Sequence, residues 1–213
     1  MAMADKIRWV GELLGVQPRI RLLRSYDERN HNYMGYVLYV RGEADGAARE
    51  FTVGVGPGAQ AKHGFCAGDR VGGLALPVAD ARLEPVEFYK VSALELLSRA
   101  SAAPATTPPW LGVPPTLPEY RARGHRRLDA GTFEARCRNC IWGARMPVEL
   151  MADNWKPKDL TYRFETFCYG PKSCALYHAG PTRKAPGRGG EDFGYEEEDA
   201  VDEAATAHRG ADE

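Results

Sequence analysis

The sequence predicts a mainly β protein of the α+β class, built as a small β-barrel followed by a small metal-bound β-hairpin module. Three observations support this prediction. Five short runs rich in Val, Leu, Tyr and Phe, separated by Asn, Asp, Gly and Pro, lie in the first half of the chain. A proline-rich stretch follows these runs. Four of the five cysteines then stand as two pairs in the second half.

Size and composition restrict the class of protein. The 213 residues are 44% hydrophobic and 27% charged, which suits a soluble chain with one or two modest cores. No apolar run approaches the ~18 residues that a membrane span needs, and charged residues interrupt the start of the chain, where a signal peptide would be apolar. We therefore expect a cytoplasmic protein without a membrane partner, whose thiols stay reduced unless they bind metal.

Residues 1–15 are predicted to form a short N-terminal helix. Ile7, Val10 and Leu13 recur at helical spacing, and Gly15 is a residue that can end a helix.

Residues 16–97 are predicted to form the barrel. The predicted strands are Arg19–Tyr26, Tyr33–Val40, Glu50–Val55, Arg70–Val78 and Glu87–Val91, and a helix is predicted for Val91–Leu97. Short connections join the first three strands, and a longer one, residues 56–69, precedes the fourth. This pattern resembles the OB-fold, a five-stranded Greek-key barrel. The resemblance covers residues 16–97, and an SH3-like or another small β-barrel is the alternative.

Two further segments flank the second module. Residues 98–118 contain six prolines, which predicts a semi-rigid linker, and the apolar pair Trp110 and Leu111 within it is expected to dock on a neighbouring domain. Residues 191–213 are rich in Asp and Glu and poor in large apolar residues, which predicts an acidic, largely disordered tail with at most a transient helix near Asp199–Ala207.

The module of residues 119–190 carries the cysteine pairs. Cys137 and Cys140 form a C-x2-C pair, and Cys168 and Cys174 form a C-x5-C pair. In a reducing compartment such pairs bind metal more often than they form disulfides, and four thiolates complete the tetrahedral set that Zn²⁺ prefers. Zn is therefore the predicted cofactor. His178, four residues after the last cysteine, is a candidate auxiliary ligand.

The residues between the two pairs predict a β-hairpin, with strands Met146–Trp155 and Leu160–Phe167. A hairpin with a cysteine pair at each end resembles a zinc ribbon, and this resemblance covers about residues 131–180. The second pair departs from the ribbon pattern because five residues separate its cysteines. A [4Fe-4S] cluster therefore remains the alternative cofactor. Four protein ligands would leave no open coordination position, so the metal is expected to serve structure.

Charge is distributed unevenly along the chain. Residues 1–118 carry a net charge of +1, residues 119–190 carry +7, and residues 191–213 carry -9. A basic module indicates an anionic partner, and aromatic rings could stack on unpaired bases. The predicted nucleic-acid-binding residues are Arg121, Arg123, Arg126, Arg127, Lys172, Arg183, Lys184, Arg188, Tyr36 and Phe51.

The predicted function is that of a non-catalytic metal-binding protein, whose four-cysteine structural site supports a surface for single-stranded nucleic acid or a ribonucleoprotein. Two alternatives are an iron–sulfur accessory or redox subunit of a larger enzyme complex, and a zinc-stabilised assembly adaptor for a protein partner. No enzyme motif stands out in the sequence. Cys66, with His63 three residues before it, is a minor candidate for a nucleophile with its base.

Overall fold

The computed structural model describes residues 5–24, 29–101, 107–151, 160–183, 185–186, 192–193 and 203–210. The strands are β1 Ile7–Arg24, β2 Arg29–Ala44, β3 Ala47–Val55, β4 Arg70–Pro77, β5 Phe88–Ser98, β6 Arg126–Arg127, β7 Gly143–Met151, β8 Leu160–Cys168, β9 Ala185–Pro186 and β10 Asp192–Phe193. The helices are α1 Pro57–His63, α2 Leu117–Arg123 and α3 Ala130–Thr132, which continues as a π-helical turn, Phe133–Cys137. None of the helices in this part of the chain has the length and apolar character to cross a membrane.

The protein is mainly β, as predicted. Eight strands form one sheet in the order β2-β3-β5-β4-β1-β7-β8-β6, and β1 also pairs with β2. This additional pairing closes the first five strands into a ring, a barrel-like arrangement. Strand β1 is antiparallel to both β2 and β4, whereas β3 and β5 are parallel where Val53 lies opposite Phe88. Helix α1 lies in the long connection between β3 and β4.

The helix predicted for residues 1–15 is wrong, because Ile7–Arg24 is one long strand. Trp9 and Leu13 are buried while Arg8 and Glu12 are exposed, which is the two-residue alternation of a sheet. The first half of β1 has strand neighbours on both sides, so pairing decided its conformation over the helical spacing of a few apolar residues. The predicted helix Val91–Leu97 is likewise part of strand β5.

The sheet continues from the predicted barrel into the predicted cysteine module. The end of β1 pairs in parallel with β7, with Leu22 opposite Val148. Arg24 and Glu165 form an ion pair at 3.4 Å between β1 and β8, and both side chains are buried. One hydrophobic core contains residues of the ring and of the module, among them Trp9, Phe51, Tyr120, Met146 and Phe167. Residues 16–97 and 119–190 therefore share a sheet and a core.

The hairpin predicted between the cysteine pairs forms from β7 and β8. These strands are antiparallel, from Gly143 opposite Cys168 to Met151 opposite Leu160. The hairpin thus places Cys168, at the end of β8, opposite Gly143, which begins β7 three residues after Cys140. The predicted turn at residues 156–159 lies outside the described residues.

Part of the predicted disordered tail is folded. Residues 203–206 form a helical turn, and Thr206 and Arg209 are buried. A Cβ atom on Gly124 would lie 2.1 Å from the carbonyl oxygen of Ala205, so this segment packs directly against the end of α2. The helical turn lies within the stretch for which a transient helix is predicted, whereas the burial of Thr206 and Arg209 is not expected of a disordered tail.

Candidate metal centre

The four paired cysteines line one small cavity. Cys137, Cys140 and Cys168 are buried and Cys174 is partly buried. The cavity has a volume of about 10 Å³, and its other walls include Trp110, Leu128, Trp142 and Tyr177. All five cysteines of the chain are free thiols. The fold thus brings the two predicted pairs together across an apolar space.

The thiols share this space without forming a finished coordination set. Among the described residues, no group of three or more His, Cys, Asp or Glu side chains is arranged to hold a metal ion. The four cysteines border one cavity, but their side chains do not form a ligand set in this arrangement.

The first cysteine pair is held by a buried glutamine of the barrel. Gln17 on β1 is 1% exposed, and its Nε2 donates hydrogen bonds of 2.8 Å to the carbonyl oxygens of both Cys137 and Cys140. Its Oε1 accepts a hydrogen bond of 3.1 Å from the hydroxyl of Tyr39. Within the turn, the amide of Cys140 donates to the carbonyl of Cys137 at 3.0 Å. The barrel thereby fixes the backbone of the C-x2-C turn.

Two glycines allow the turn to approach the barrel this closely. A Cβ atom on Gly15 would lie 2.3 Å from the carbonyl oxygen of Asn139. A Cβ atom on Gly143 would lie 2.5 Å from Nε2 of Gln17 and 2.6 Å from the carbonyl oxygen of Cys137. Real Cβ atoms do not approach other atoms so closely, so both positions require glycine.

The second cysteine pair is held by cationic side chains. Nε of Arg123 and Nη1 of Arg209 donate to the carbonyl of Tyr169 at 2.9 and 3.0 Å. Nη2 of Arg126 donates to the carbonyl of Pro171 at 2.8 Å. Three guanidinium groups from three separate segments therefore converge on the loop between Cys168 and Cys174. Their charge-assisted hydrogen bonds fix a loop that has no regular secondary structure.

The proline-rich segment closes the cavity. Trp110 packs against the cluster of buried cysteines, and its carbonyl oxygen accepts a hydrogen bond of 2.9 Å from the amide of Ile141. The predicted docking of Trp110 is therefore confirmed, with the cysteine cluster as the surface that it contacts. Tyr177 packs on the same cluster, and its hydroxyl donates to the carbonyl of Arg127 at 2.8 Å.

Burial sets the protonation of the thiols. It raises the pKa of Cys137 to about 12, with further contributions from the neighbouring cysteines, and it raises the pKa of Cys140 to about 11. Backbone hydrogen bonds from Trp142 and Trp110 lower the pKa of Cys140 and so offset part of the effect of burial. Burial also raises the pKa of Cys168, and the amide of Gly170, 3.4 Å from its Sγ, lowers it. Without a cation these thiols are neutral at pH 7, while amide groups are already placed to stabilise thiolates.

His178 does not reach the cavity. Its side chain is exposed, and it is not among the residues that line the cysteine cavity. Its carbonyl oxygen accepts a hydrogen bond of 2.9 Å from the amide of Asp129. In this arrangement the residue contributes its backbone and not its imidazole, and its role as an auxiliary ligand stays a prediction.

The predicted nucleic-acid-binding residues do not form one surface. Arg123 and Arg126 point to backbone carbonyls, and Nζ of Lys172 donates to the carbonyl of Arg209 at 3.0 Å. Arg127 is partly buried, whereas Arg121 and Arg183 are exposed. Lys184 and Arg188 lie outside the described residues.

The two predicted stacking residues of the barrel are core residues. Tyr36 is 3% exposed and Phe51 is 2% exposed. The hydroxyl of Tyr36 donates to the carbonyl of Pro115 at 2.9 Å, and Phe51 packs edge-on against Trp9. Neither ring can stack on a base, because the apolar faces of both are already covered.

Cys66 lacks the properties of an activated nucleophile. A reactive thiol has a lowered pKa, but burial raises the pKa of Cys66, and Asp69 raises it further. The amide of Cys66 donates to Oδ2 of Asp69 at 3.1 Å. The His63 and Cys66 region is therefore a loop ordered by a buried carboxylate.

The residues that sequence reasoning missed are those that hold the cysteine turns, namely Gly15, Gln17, Tyr39, Gly143 and Arg209. One signal was present, since Gly15 and Gln17 interrupt an otherwise apolar run. Their partners lie more than a hundred residues away along the chain, so the run itself does not identify them.

Comparison with known proteins adds no relative: the chain matches no family model, no curated protein and no solved structure. Function must therefore be inferred from the geometry of the chain itself.

Proposed function

We propose that this chain is a non-catalytic metal-binding protein in which Cys137, Cys140, Cys168 and Cys174 hold one structural Zn²⁺ ion. The observation that carries the proposal is that the four thiols, from two separate segments, border one enclosed cavity. Zinc prefers four thiolates in structural sites, and a full set of protein ligands leaves no position for a substrate or an activated water.

The strand order supports the OB-like interpretation of the ring. The order β1-β2-β3-β5-β4, closed by the pairing of β4 with β1, together with a helix between β3 and β4, is consistent with a five-stranded Greek-key barrel. OB barrels bind oligonucleotides, and the net charge of +7 on residues 119–190 favours an anionic partner. We therefore propose single-stranded nucleic acid, alone or within a ribonucleoprotein, as the partner.

Metal analysis tests the metal part of this proposal. Protein purified without oxygen should contain about one zinc per chain and should be colourless. Cys140→Ser and Cys168→Ser should lose the zinc, and Cys66→Ser is the matched control because Cys66 lies outside the cavity. Full zinc content in Cys168→Ser would contradict the ligand assignment. Iron, sulfide and visible absorption would instead support the iron–sulfur subunit.

Titration with nucleic acid tests the partner. A labelled single-stranded oligonucleotide should bind, and its affinity should fall steeply between low and moderate salt because phosphate contacts release counterions. If the zinc-loaded protein binds neither single-stranded DNA nor RNA, the assembly-adaptor alternative takes the place of this proposal.

A further inference from the structure

A second cavity lies where the ring meets the cysteine module. It has a volume of about 390 Å³, within the range of small-ligand sites. One wall comprises Tyr39 of β2, Thr52 of β3 and residues from the β4–β5 connection. The other wall comprises residues close to the first cysteine pair and on the hairpin, including Arg138, Arg145 and Phe164. The metal centre therefore supports one side of this cleft.

Two exposed guanidinium groups line the cleft. Arg138 lies over the ring of Tyr39 with 5.7 Å between its Cζ and the ring centroid, and Arg145 lies over the ring of Phe164 at 4.0 Å. Within the described part of the chain, neither forms an ion pair with a carboxylate. Both cations are therefore held by aromatic faces and remain available to an anion.

Most of the carboxylates of the cleft are already paired. Arg19 and Arg21 bind Glu84 at 2.7 and 3.2 Å, and Arg49 binds Glu87 at 2.6 Å. Glu134 is the third carboxylate of the lining. The lining itself holds two guanidinium groups, Arg138 and Arg145, and three carboxylates, of which Glu84 and Glu87 are neutralised by arginines outside the lining. An anion that enters meets little repulsion from the paired groups.

We infer that this cleft binds one nucleotide unit of a single-stranded nucleic acid, with Arg138 and Arg145 contacting phosphate. Guanidinium groups bind phosphate through paired hydrogen bonds, and their planes also stack on bases. Arg145 presents such a plane because Phe164 supports its other face. This inference rests on the proposed function and moves the interface away from the surface around Arg121, Arg126 and Lys172.

Fluorescence anisotropy with a labelled oligothymidylate tests the cleft in the zinc-loaded full chain. Arg138→Gln and Arg145→Gln should each weaken binding about tenfold, because each removes a charge-assisted hydrogen bond. Each should also reduce the slope of log affinity against log salt by about 0.7. Arg121→Gln tests the alternative surface, because Arg121 lies over Tyr33 and outside the cleft. Arg8→Gln is the matched control: it removes the same charge from an exposed arginine of β1 that lies outside the cleft. Its affinity and salt slope should equal those of the wild type.

Two measurements keep the test decisive. Arg138 adjoins a cysteine of the metal site, so zinc content and circular dichroism must match the wild type before its affinity is compared. Arg145 lies on β7 away from the cysteines and provides an independent variant. Loss of binding in both variants with zinc retained supports the cleft.

Other outcomes would overturn the inference in different ways. Weaker binding by Arg121→Gln alone would refute the cleft while leaving nucleic-acid binding intact. A wild-type protein that binds no strand refutes the proposed function as well. A glutamate peptide of equal charge that competes equally well would refute nucleotide recognition in favour of a general anion site. Thymidine monophosphate that binds as tightly as the oligomer would assign the cleft to a free nucleotide.

Discussion

The two cysteine pairs border the same cavity, but the protein holds them by different chemistry. The turn of Cys137 and Cys140 is fixed by one neutral, buried amide, Gln17, and by glycines that permit close approach. The loop of Cys168 and Cys174 is fixed by the charged side chains of Arg123, Arg126 and Arg209, from three separate segments.

This difference predicts different responses to perturbation. A buried amide that bonds two carbonyls and a hydroxyl cannot be replaced by water, so its loss leaves unsatisfied polar groups in the core. The guanidinium groups at the second loop belong to different side chains, so the loss of one leaves the hydrogen bonds of the others in place. Loss of Gln17 should therefore release the whole turn of the first pair, whereas loss of one arginine should loosen the loop of the second pair only in part.

The largest effect is expected from Gln17→Leu. It leaves the carbonyls of Cys137 and Cys140 and the hydroxyl of Tyr39 without their buried partner, and should lower the free energy of unfolding by about 4 kcal/mol. Urea denaturation of the zinc-loaded protein measures this loss. Tyr39→Phe removes one of the three hydrogen bonds and should lose only about 1 kcal/mol. Equal losses in the two variants would show that Gln17 does not hold the turn.

Gly143→Ala should have the next largest effect. The added Cβ would meet Nε2 of Gln17 and the carbonyl of Cys137, so the turn must move away from the barrel, at a loss of about 2 kcal/mol. Gly58→Ala is the control, because no atom lies within 4 Å of its added Cβ and it lies in helix α1. The free energy of unfolding of Gly58→Ala, measured by thermal or urea unfolding, should rise by about 0.5 kcal/mol. An unchanged free energy of unfolding in Gly143→Ala would disprove the close approach of Gly143 to Gln17 and Cys137.

Arg209→Gln tests the second pair. It removes the hydrogen bonds to Tyr169 and Gly170, and zinc should pass to a coloured chelator about threefold to tenfold faster. Arg183→Gln, an exposed arginine, is the control for loss of charge and should release zinc at the wild-type rate. Unchanged release from Arg209→Gln would remove residues 203–210 from the metal site.

The smallest effect concerns acid pH. The amide of Thr116 donates to Glu119 and lowers the pKa of this carboxyl, and the amide of Thr132 does the same for Asp129. A lowered pKa in the folded state contributes stability above the ordinary pKa, and this contribution is lost as the pH falls through the lowered value. Thermal unfolding of the wild type should therefore lose slightly more stability between pH 6 and pH 3 than that of Glu119→Gln. Parallel profiles would contradict the role of this cap.

The sequence permitted prediction of elements whose signal is local. Val-rich runs bounded by turn residues located five strands, and the pattern around Cys137 and Cys168 indicated a hairpin that brings two pairs together. The short spacing within each pair made the candidate ligands visible. These features depend on residues that are neighbours along the chain.

Features that depend on distant partners were not predictable. The spacing of Ile7, Val10 and Leu13 fits a helix, but neighbours on both edges made the segment a strand. The charge pattern predicts Arg126 as a nucleic-acid-binding cation, whereas its guanidinium donates to a carbonyl of the second cysteine loop. A sequence lists charges without saying whether a carbonyl, a carboxylate or solvent faces them, so this engagement cannot be predicted from it.

Strand β1 also determines an order of assembly. Its last residues pair with β7, and Gln17 meets Cys137 across 120 positions of the chain. Contacts between such distant residues form slowly, because a long loop must close first. All five strands of the ring precede the paired cysteines and leave the ribosome before them. The ring is therefore available as a template for the cysteine turns, and uptake of the proposed zinc ion would complete maturation instead of starting it.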